Sequence, residues 1–220
     1  MLKIAVTDDH TLFRKSLSFL INSFKNMEVV LEASNGQELL EKLKHQSIDI
    51  LLLDLQMPKM DGFQTYQRLN TEYPDIKVLV LTFLNEVEII RKIMELGVHG
   101  YFTKNTDPNE LERALLKLNE DGFYFEKSLA NIIKDIIEKP PLNISTEQQP
   151  VTFTERETEI LRLTLKEYSG IEIANTLYIS PKTVEKHKRN LMEKTQSKNF
   201  IGVIMYAFSY EILSLNVLKD

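Results

Sequence analysis

The sequence predicts an α/β domain with a five-stranded, doubly wound parallel sheet, joined by a linker to a small all-α domain. Three observations carry this expectation. Across residues 1–125 apolar runs alternate with amphipathic stretches, the pattern of parallel strands linked by crossover helices. The runs LLL and VLVL lack polar–apolar alternation, as strands covered on both faces do. Beyond the proline-rich stretch 139-KPPLNISTEQQP-150 the pattern is helical only.

The strands are expected at 3–7, 28–34, 49–54, 76–82 and 99–103, from KIAVT, EVVLEAS, DILLLD, IKVLVLT and HGYFT. Between and after them, 3.6-residue patterns predict helices at 11–25, 36–45, 61–72, 86–96 and 107–121. Asn35-Gly36, Asp61-Gly62, Gly97 and Asp107-Pro108 punctuate their ends. Right-handed crossovers then wind the units into one sheet. Residues 126–150 read as a short helical pattern at 127–138 followed by the linker. Residues 151–220 form the second domain, with helices near 154–167, 169–177, 181–195 and 199–208 and a tail apolar enough to pack.

Composition excludes several classes. No cysteine is present, so there is no disulfide scaffold, thiol nucleophile or cysteine metal site. His10, His45, His99 and His187 show no metal-ligand spacing. No apolar run approaches the ~20 residues of a spanning helix, and MLKIAVTDDH reaches two aspartates too soon for a signal peptide. The expectation is a cytoplasmic protein with no membrane partner. The net charge of −5 divides into −6 over residues 1–150 and +1 over 151–220, with a basic window at 180–200.

Open α/β sheets bind ligands beyond the carboxyl ends of their strands. That rule selects Asp8 and Asp9 after the first strand, Asp54 ending the third, Thr82 ending the fourth and Lys104 following the fifth. Three carboxylates in one crevice repel one another unless a cation joins them, and Mg²⁺ suits hard oxygen ligands. A carboxylate beside a metal, a lysine and a hydroxyl is equipped to accept a phosphoryl group, with Asp54 attacking in line. Any one of these residues alone is more often a cap, a turn or a solvated side chain; the constellation is what carries the reading.

The motifs 6-VTDDH-10, 53-LDLQMPKMDG-62, 80-VLT-82 and 100-GYFTK-104 make residues 1–121 resemble the receiver domain of two-component response regulators. The resemblance implies the strand order 2-1-3-4-5, which brings the selected strand ends together. It further implies that Asp54 is the phosphoacceptor and that Asp8, Asp9, Asp54 and the backbone carbonyl of Gln56 hold Mg²⁺. Lys104 would pair with the phosphoryl group, Thr82 would be the switch hydroxyl and Tyr101 the aromatic that moves with it. Pro58 and Gly62 would shape the loop after the phosphoacceptor.

In the second domain Ser180-Pro181 is an N-cap and first-turn signal. On the helix that follows, Lys182, Lys186 and Arg189 form one exposed stripe, with Glu185 beside it and Val184 and Leu191 on the core side. A short helix at 169–177 and the tight turn 178-YIS-180 precede it, which makes a helix-turn-helix whose stripe would enter the major groove of double-stranded DNA. The stretches 153-FTERETEILRL-163 and EIANTLYISPKTVEKHKRNLMEKT resemble the LuxR/FixJ-type DNA-binding domain. By that resemblance Glu185, Lys186 and Arg189 are base-edge candidates, and Lys182, Thr183, Lys188 and Lys194 are phosphate candidates. Glu167 and Ile171 depart from the family pattern, where glycine and lysine are common. Helix 199–208 serves either ordinary core packing or, by resemblance, a dimer contact.

Together these readings imply a response regulator that takes phosphate on Asp54 from a sensor histidine kinase, dimerises on activation and controls transcription. It would be no metabolic enzyme beyond catalysing its own phosphorylation and slow dephosphorylation. The main rival is an aspartate-nucleophile phosphohydrolase, which needs an acid two residues after the nucleophile; here that position is Gln56. A receiver acting only through protein contacts and a regulator independent of phosphorylation are further rivals.

Overall fold

The computed structural model describes residues 1–83, 87–104, 107–124, 151–166 and 168–213. The helical pattern at 127–138, the linker, Glu167 and the end of the tail lie outside the described residues. The chain divides into two compact units, the first containing Met1–Ile89 and Val98–Phe125, the second Ile90–Gly97 and the C-terminal helices. Among the described residues no helix is long and apolar enough to cross a membrane.

The first stretch of chain runs β1 (Leu2–Thr7), α1 (Thr11–Ser23), β2 (Met27–Ala33), α2 (Gly36–Leu43), β3 (Ile50–Asp54), α3 (Gly62–Glu72), β4 (Lys77–Thr82), α4 (Val87–Leu96), β5 (Gly100–Thr103) and α5 (Pro108–Asp121). Every strand pairing is parallel, and the order is β2-β1-β3-β4-β5, as the resemblance implied. All five residues of β3 are buried, which is why its sequence lacks alternation. The period of two nevertheless sorts the side chains. Ile4, Val6, Ile50, Leu52, Leu79, Leu81 and Phe102 share one core with Leu17 and Ile21 of α1 and Leu111, Leu115 and Leu118 of α5. The intervening Ala5, Leu51, Leu53, Val78 and Val80 are buried on the other face.

The helix ends follow the local signals. Asn35 accepts the Glu38 N–H at the start of α2, and Asp61 closes a capping box with Gln64 on α3. Asp107 caps α5 with Pro108 in its first turn, and Gly122 ends that helix at φ 80°. Observed and expected boundaries differ by a residue or two, where helix ends fray.

The second unit contains α6 (Glu155–Leu165), α7 (Gly170–Thr176), α8 (Pro181–Thr195) and α9 (Phe200–Ser209). Thr154 with Glu157 and Ser169 with Glu172 form capping boxes, while Ser180 caps α8 and Asn199 caps α9. Ile160, Ile173, Ala174 and Val184 make a core to which Leu163, Leu177 and Ile179 add. Between α7 and α8, Tyr178 takes φ 55° and its N–H bonds Asn175 O, giving the tight turn. A side chain of that shape rarely adopts a left-handed conformation.

His99 supplies a test of the first unit's packing. Burial, with Lys77 nearby, pushes its imidazole down from 6.5 to about 4. Its Nδ1 accepts the Val78 N–H at 3.1 Å, which requires that nitrogen to be unprotonated. Below its ordinary pKa the unfolded chain binds a proton that the folded chain refuses. Stability is therefore full above that value and falls as the pH drops toward the folded one. Urea titrations of the full chain should lose about 1–2 kcal/mol between pH 7 and pH 5, and His99→Gln should flatten that dependence.

Candidate functional site

Sequence reasoning selected one residue or pair from each of four strand ends, and the sheet order brings them together. Asp8 follows β1, and its N–H bonds Ala33 O at the end of β2. Asp54 and Thr82 are the last residues of β3 and β4. Lys104 follows β5, its N–H bonded to Thr82 O at 3.0 Å. The Lys104 Nζ lies 2.6 Å from Asp8 Oδ2 and 2.7 Å from Asp54 Oδ2, and all three side chains are at most 3% exposed.

Asp9 stands more open, with its Oδ1 2.9 Å from His10 Nδ1. Asp8, Asp9, His10 and Asp54 offer ligand atoms that all lie within 4.8 Å of one another. Asp8 Oδ2, Asp9 Oδ1 and Asp54 Oδ2 are buried atoms without an aligned hydrogen bond, although Lys104 Nζ stands at ion-pair distance from the first and third and His10 Nδ1 near the second. Such oxygens suit a hard divalent cation. Burial pushes the Asp54 carboxyl up from its ordinary value; Lys104 pulls it down, Asp8 adds to the rise, and the Gln56 N–H opposes it. Thr82 and Tyr101 are buried, while the Gln56 side chain is exposed.

Gly62 at the start of α3 holds this arrangement close. Its N–H bonds Leu55 O at 3.0 Å. A Cβ there would stand 2.3 Å from the Asp54 carbonyl oxygen and 2.7 Å from Leu55 Cα, inside contact distance of the backbone that carries the Asp54 carboxylate. Arg14, which sequence reasoning passed over, donates from its guanidinium to Asp8 O and pairs with Glu32 at 3.4 Å. Phe13 and Phe83 beside Lys104 also went unnoticed, since an aromatic residue in a helix or at a strand end carries no local mark of the site.

In the second unit α8 exposes Lys182, Glu185, Lys186 and Arg189 and buries Val184 and Leu191, as the helical period required. Thr183 is half-buried, its Oγ1 2.8 Å from Ser180 Oγ. Lys188 corrects the expectation of a phosphate contact. It is 3% exposed, its Nζ 5.7 Å from the Phe200 ring centroid and 3.7 Å from Glu185 Oε1. Its position, four residues after Val184, puts it on the inward face. Lys194 keeps an exposed flank, but its Nζ is 2.7 Å from Glu157 Oε2. Against the push of burial, Lys194 and Thr154 hold the Glu157 carboxyl below its ordinary value. On α9 the residues Phe200, Ile201, Val203, Ile204, Ala207 and Phe208 are buried, and Tyr206 accepts the Val151 N–H.

A doubly wound parallel sheet with an Asp–Asp–Lys crevice at its strand ends, on one chain with a basic helix-turn-helix, defines a receiver-and-output signalling protein. Residues 4–116 match the response regulator receiver domain, and residues 151–207 match the bacterial regulatory proteins of the luxR family. The chain belongs to the response regulators with a luxR-family DNA-binding module. It is similar to the oxygen regulatory protein NreC of Staphylococcus epidermidis, 31% identical over 216 residues covering 96% of this chain and 99% of that one. NreC of Staphylococcus carnosus is 30% identical over 215 residues, with the same coverage of each chain. The solved two-component response regulator RcsB in complex with DNA shares the fold at 24% identity and a TM-score of 0.59, over 94% of this chain and 98% of that one. The response regulator ChrA of a heme-sensing two-component system aligns at 28% identity and a TM-score of 0.50, over 96% and 98%.

Gly62→Ala should force the backbone of Asp54 and Leu55 apart from α3. Overpacking of this kind costs about 1–3 kcal/mol. Urea unfolding should read that loss, and the amide resonances of Asp54 and Leu55 should shift most.

Proposed function

We propose that this cytoplasmic regulator takes a phosphoryl group on Asp54 from a sensor histidine kinase, forms a homodimer and then binds double-stranded DNA through α8. The observation that carries the first half is the Lys104 ammonium set between Asp8 and Asp54. An Asp54 oxygen attacks phosphorus in line as the bond to the donor nitrogen breaks. Lys104 leaves its carboxylate partners for the incoming phosphoryl oxygens, which carry more negative charge. Thr82, buried at the end of the neighbouring strand, offers its hydroxyl to the same group, and Tyr101 follows that movement. Asp8, Asp9, Asp54 and the Gln56 carbonyl would hold Mg²⁺, which supplies positive charge to the transferring oxygens when bound.

The phosphohydrolase alternative lacks its acid. Gln56 has no proton to give a leaving group, and its side chain points to solvent. The chain therefore transfers phosphate to itself and keeps it as a signal. For the second half, the exposed Lys186 and Arg189 stand one helical turn apart and are the base-edge readers, with Glu185 placed to accept from a cytosine amino group. Lys182, Thr183 and the open flank of Lys194 are left for phosphates. RcsB structures described as dimers bound to DNA support both the DNA and the dimer reading.

Incubation with acetyl phosphate and Mg²⁺ should label Asp54 alone. Asp54→Ala should remove the label, and Asp9→Ala should remove its Mg²⁺ dependence; strong labelling of Asp54→Ala refutes the assignment. On DNA, Arg189→Ala should cost about 1–3 kcal/mol at one operator position and relax its preference. Lys182→Ala should weaken operator and random duplex alike and reduce the salt slope by roughly one unit. Lys188→Met should leave the salt slope unchanged, because that ammonium does not reach the surface.

A further inference from the structure

The Lys104 ammonium meets two aromatic rings besides its carboxylates. The centroid of Phe13 lies 5.0 Å from Nζ and that of Phe83 5.2 Å. The two rings stand 6.5 Å apart at an interplanar angle of 54°, so they flank the cation from different directions. Phe13 comes from the first turn of α1 and Phe83 follows the switch residue Thr82, so two separate elements converge on one nitrogen. Phe13 is itself seated: with Leu17, Leu81, Phe102 and Leu111 it lines a cavity of about 220 Å³ that reaches Lys104. Phe83 is 56% exposed, so its ring meets the cation on one side and water on the other.

We propose that Phe13 and Phe83 are positioning residues for phosphoryl transfer, cradling the Lys104 ammonium against their two faces. This rests on the assignment of Asp54 as phosphoacceptor. The physical reason lies in what the lysine must do. Before transfer two carboxylates hold it; during transfer it must turn toward the phosphoryl oxygens without being drawn out into water. Carboxylates alone fix it only in the resting state. The negative faces of two rings attract a cation with little preference for direction. They let the nitrogen pivot while keeping it dehydrated, where its charge acts most strongly on the transferring group. With acetyl phosphate the step is balanced: the bond from phosphorus to the acetyl oxygen breaks as that to an Asp54 oxygen forms, and acetate leaves with the electron pair.

The test compares full-length wild type with Phe83→Leu, Phe83→Tyr and Phe13→Leu. Leucine keeps apolar bulk but has no ring face, whereas tyrosine keeps the face. Phosphorylation by acetyl phosphate is followed by the growth of the phosphorylated fraction, and unfolding midpoints check the fold. The Lys104 methylene next to Nζ is read by NMR, where the rings should move its protons upfield. Each leucine variant should slow uptake about five- to tenfold, as loss of a dehydrated cation–π contact implies, and should lose part of the upfield shift. Phe83→Tyr should restore both. Leucine variants that match wild-type uptake overturn the proposal, as does a Phe83→Tyr variant as slow as Phe83→Leu. Because Phe83 is largely exposed, its variants decide the matter even if Phe13→Leu unfolds. A wild-type protein that takes up no phosphate refutes the Asp54 assignment; labelled wild type with unaltered variants refutes the cradle alone.

Discussion

A single ammonium group holds the crevice of carboxylates at the strand ends together. Lys104 Nζ lies within 2.7 Å of both Asp8 and Asp54, in surroundings where all three side chains are nearly inaccessible. Taking such charges out of water costs several kcal/mol per ion, and removing one partner of a buried pair costs about 3–5 kcal/mol. The crevice therefore exists only because strand ends from distant parts of the chain deliver compensating charges to one place. Asp8, Asp9 and Asp54 against Lys104 leave a surplus of negative charge. Burial lifts the Asp54 carboxyl above its ordinary value, Asp8 adds to that rise against the pull of Lys104, and the surplus of negative charge makes the site receptive to a further cation.

The rest of the first unit serves this requirement. The fully buried β3 and β4 give Asp54 and Thr82 a rigid floor, and the parallel register places Asp54 beside Leu81. Arg14 ties α1 to the Asp8 carbonyl, and Gly62 lets α3 start against the Asp54 backbone without a side chain between. In the second unit the Glu157–Lys194 pair plays a comparable part, since a nearly buried carboxylate is matched by a cation from α8. That pair ties α8 to α6 through its last turn, while the first turns of α8 keep their charges facing outward.

Much of this was legible along the chain. Apolar runs without alternation marked the doubly covered strands, and Asn35, Asp61, Asp107 and Ser180 cap helices where short polar side chains can reach orphan N–H groups. Asp8, Asp54 and Lys104 were identifiable because strand ends are where α/β sheets bind ligands. Lys188 was misplaced for a definite reason. The family resemblance suggested a phosphate contact, but its long apolar stem lets it lie along the inner side of α8 with its head over Phe200.

The sequence by itself determined the division into an α/β module and a helical one, the strand and helix succession, and which carboxylates and basic residues were available for chemistry. These depend on short-range periodicity and on capping, which are written within a few residues of where they act. Only the tertiary structure decided which groups share an environment. That Phe13, from the start of α1, and Phe83, after β4, both face Lys104 follows from long-range packing. So does the meeting of Lys104 with Asp8 and Asp54. Such contacts join residues far apart in the chain, and no local pattern encodes a distance between them.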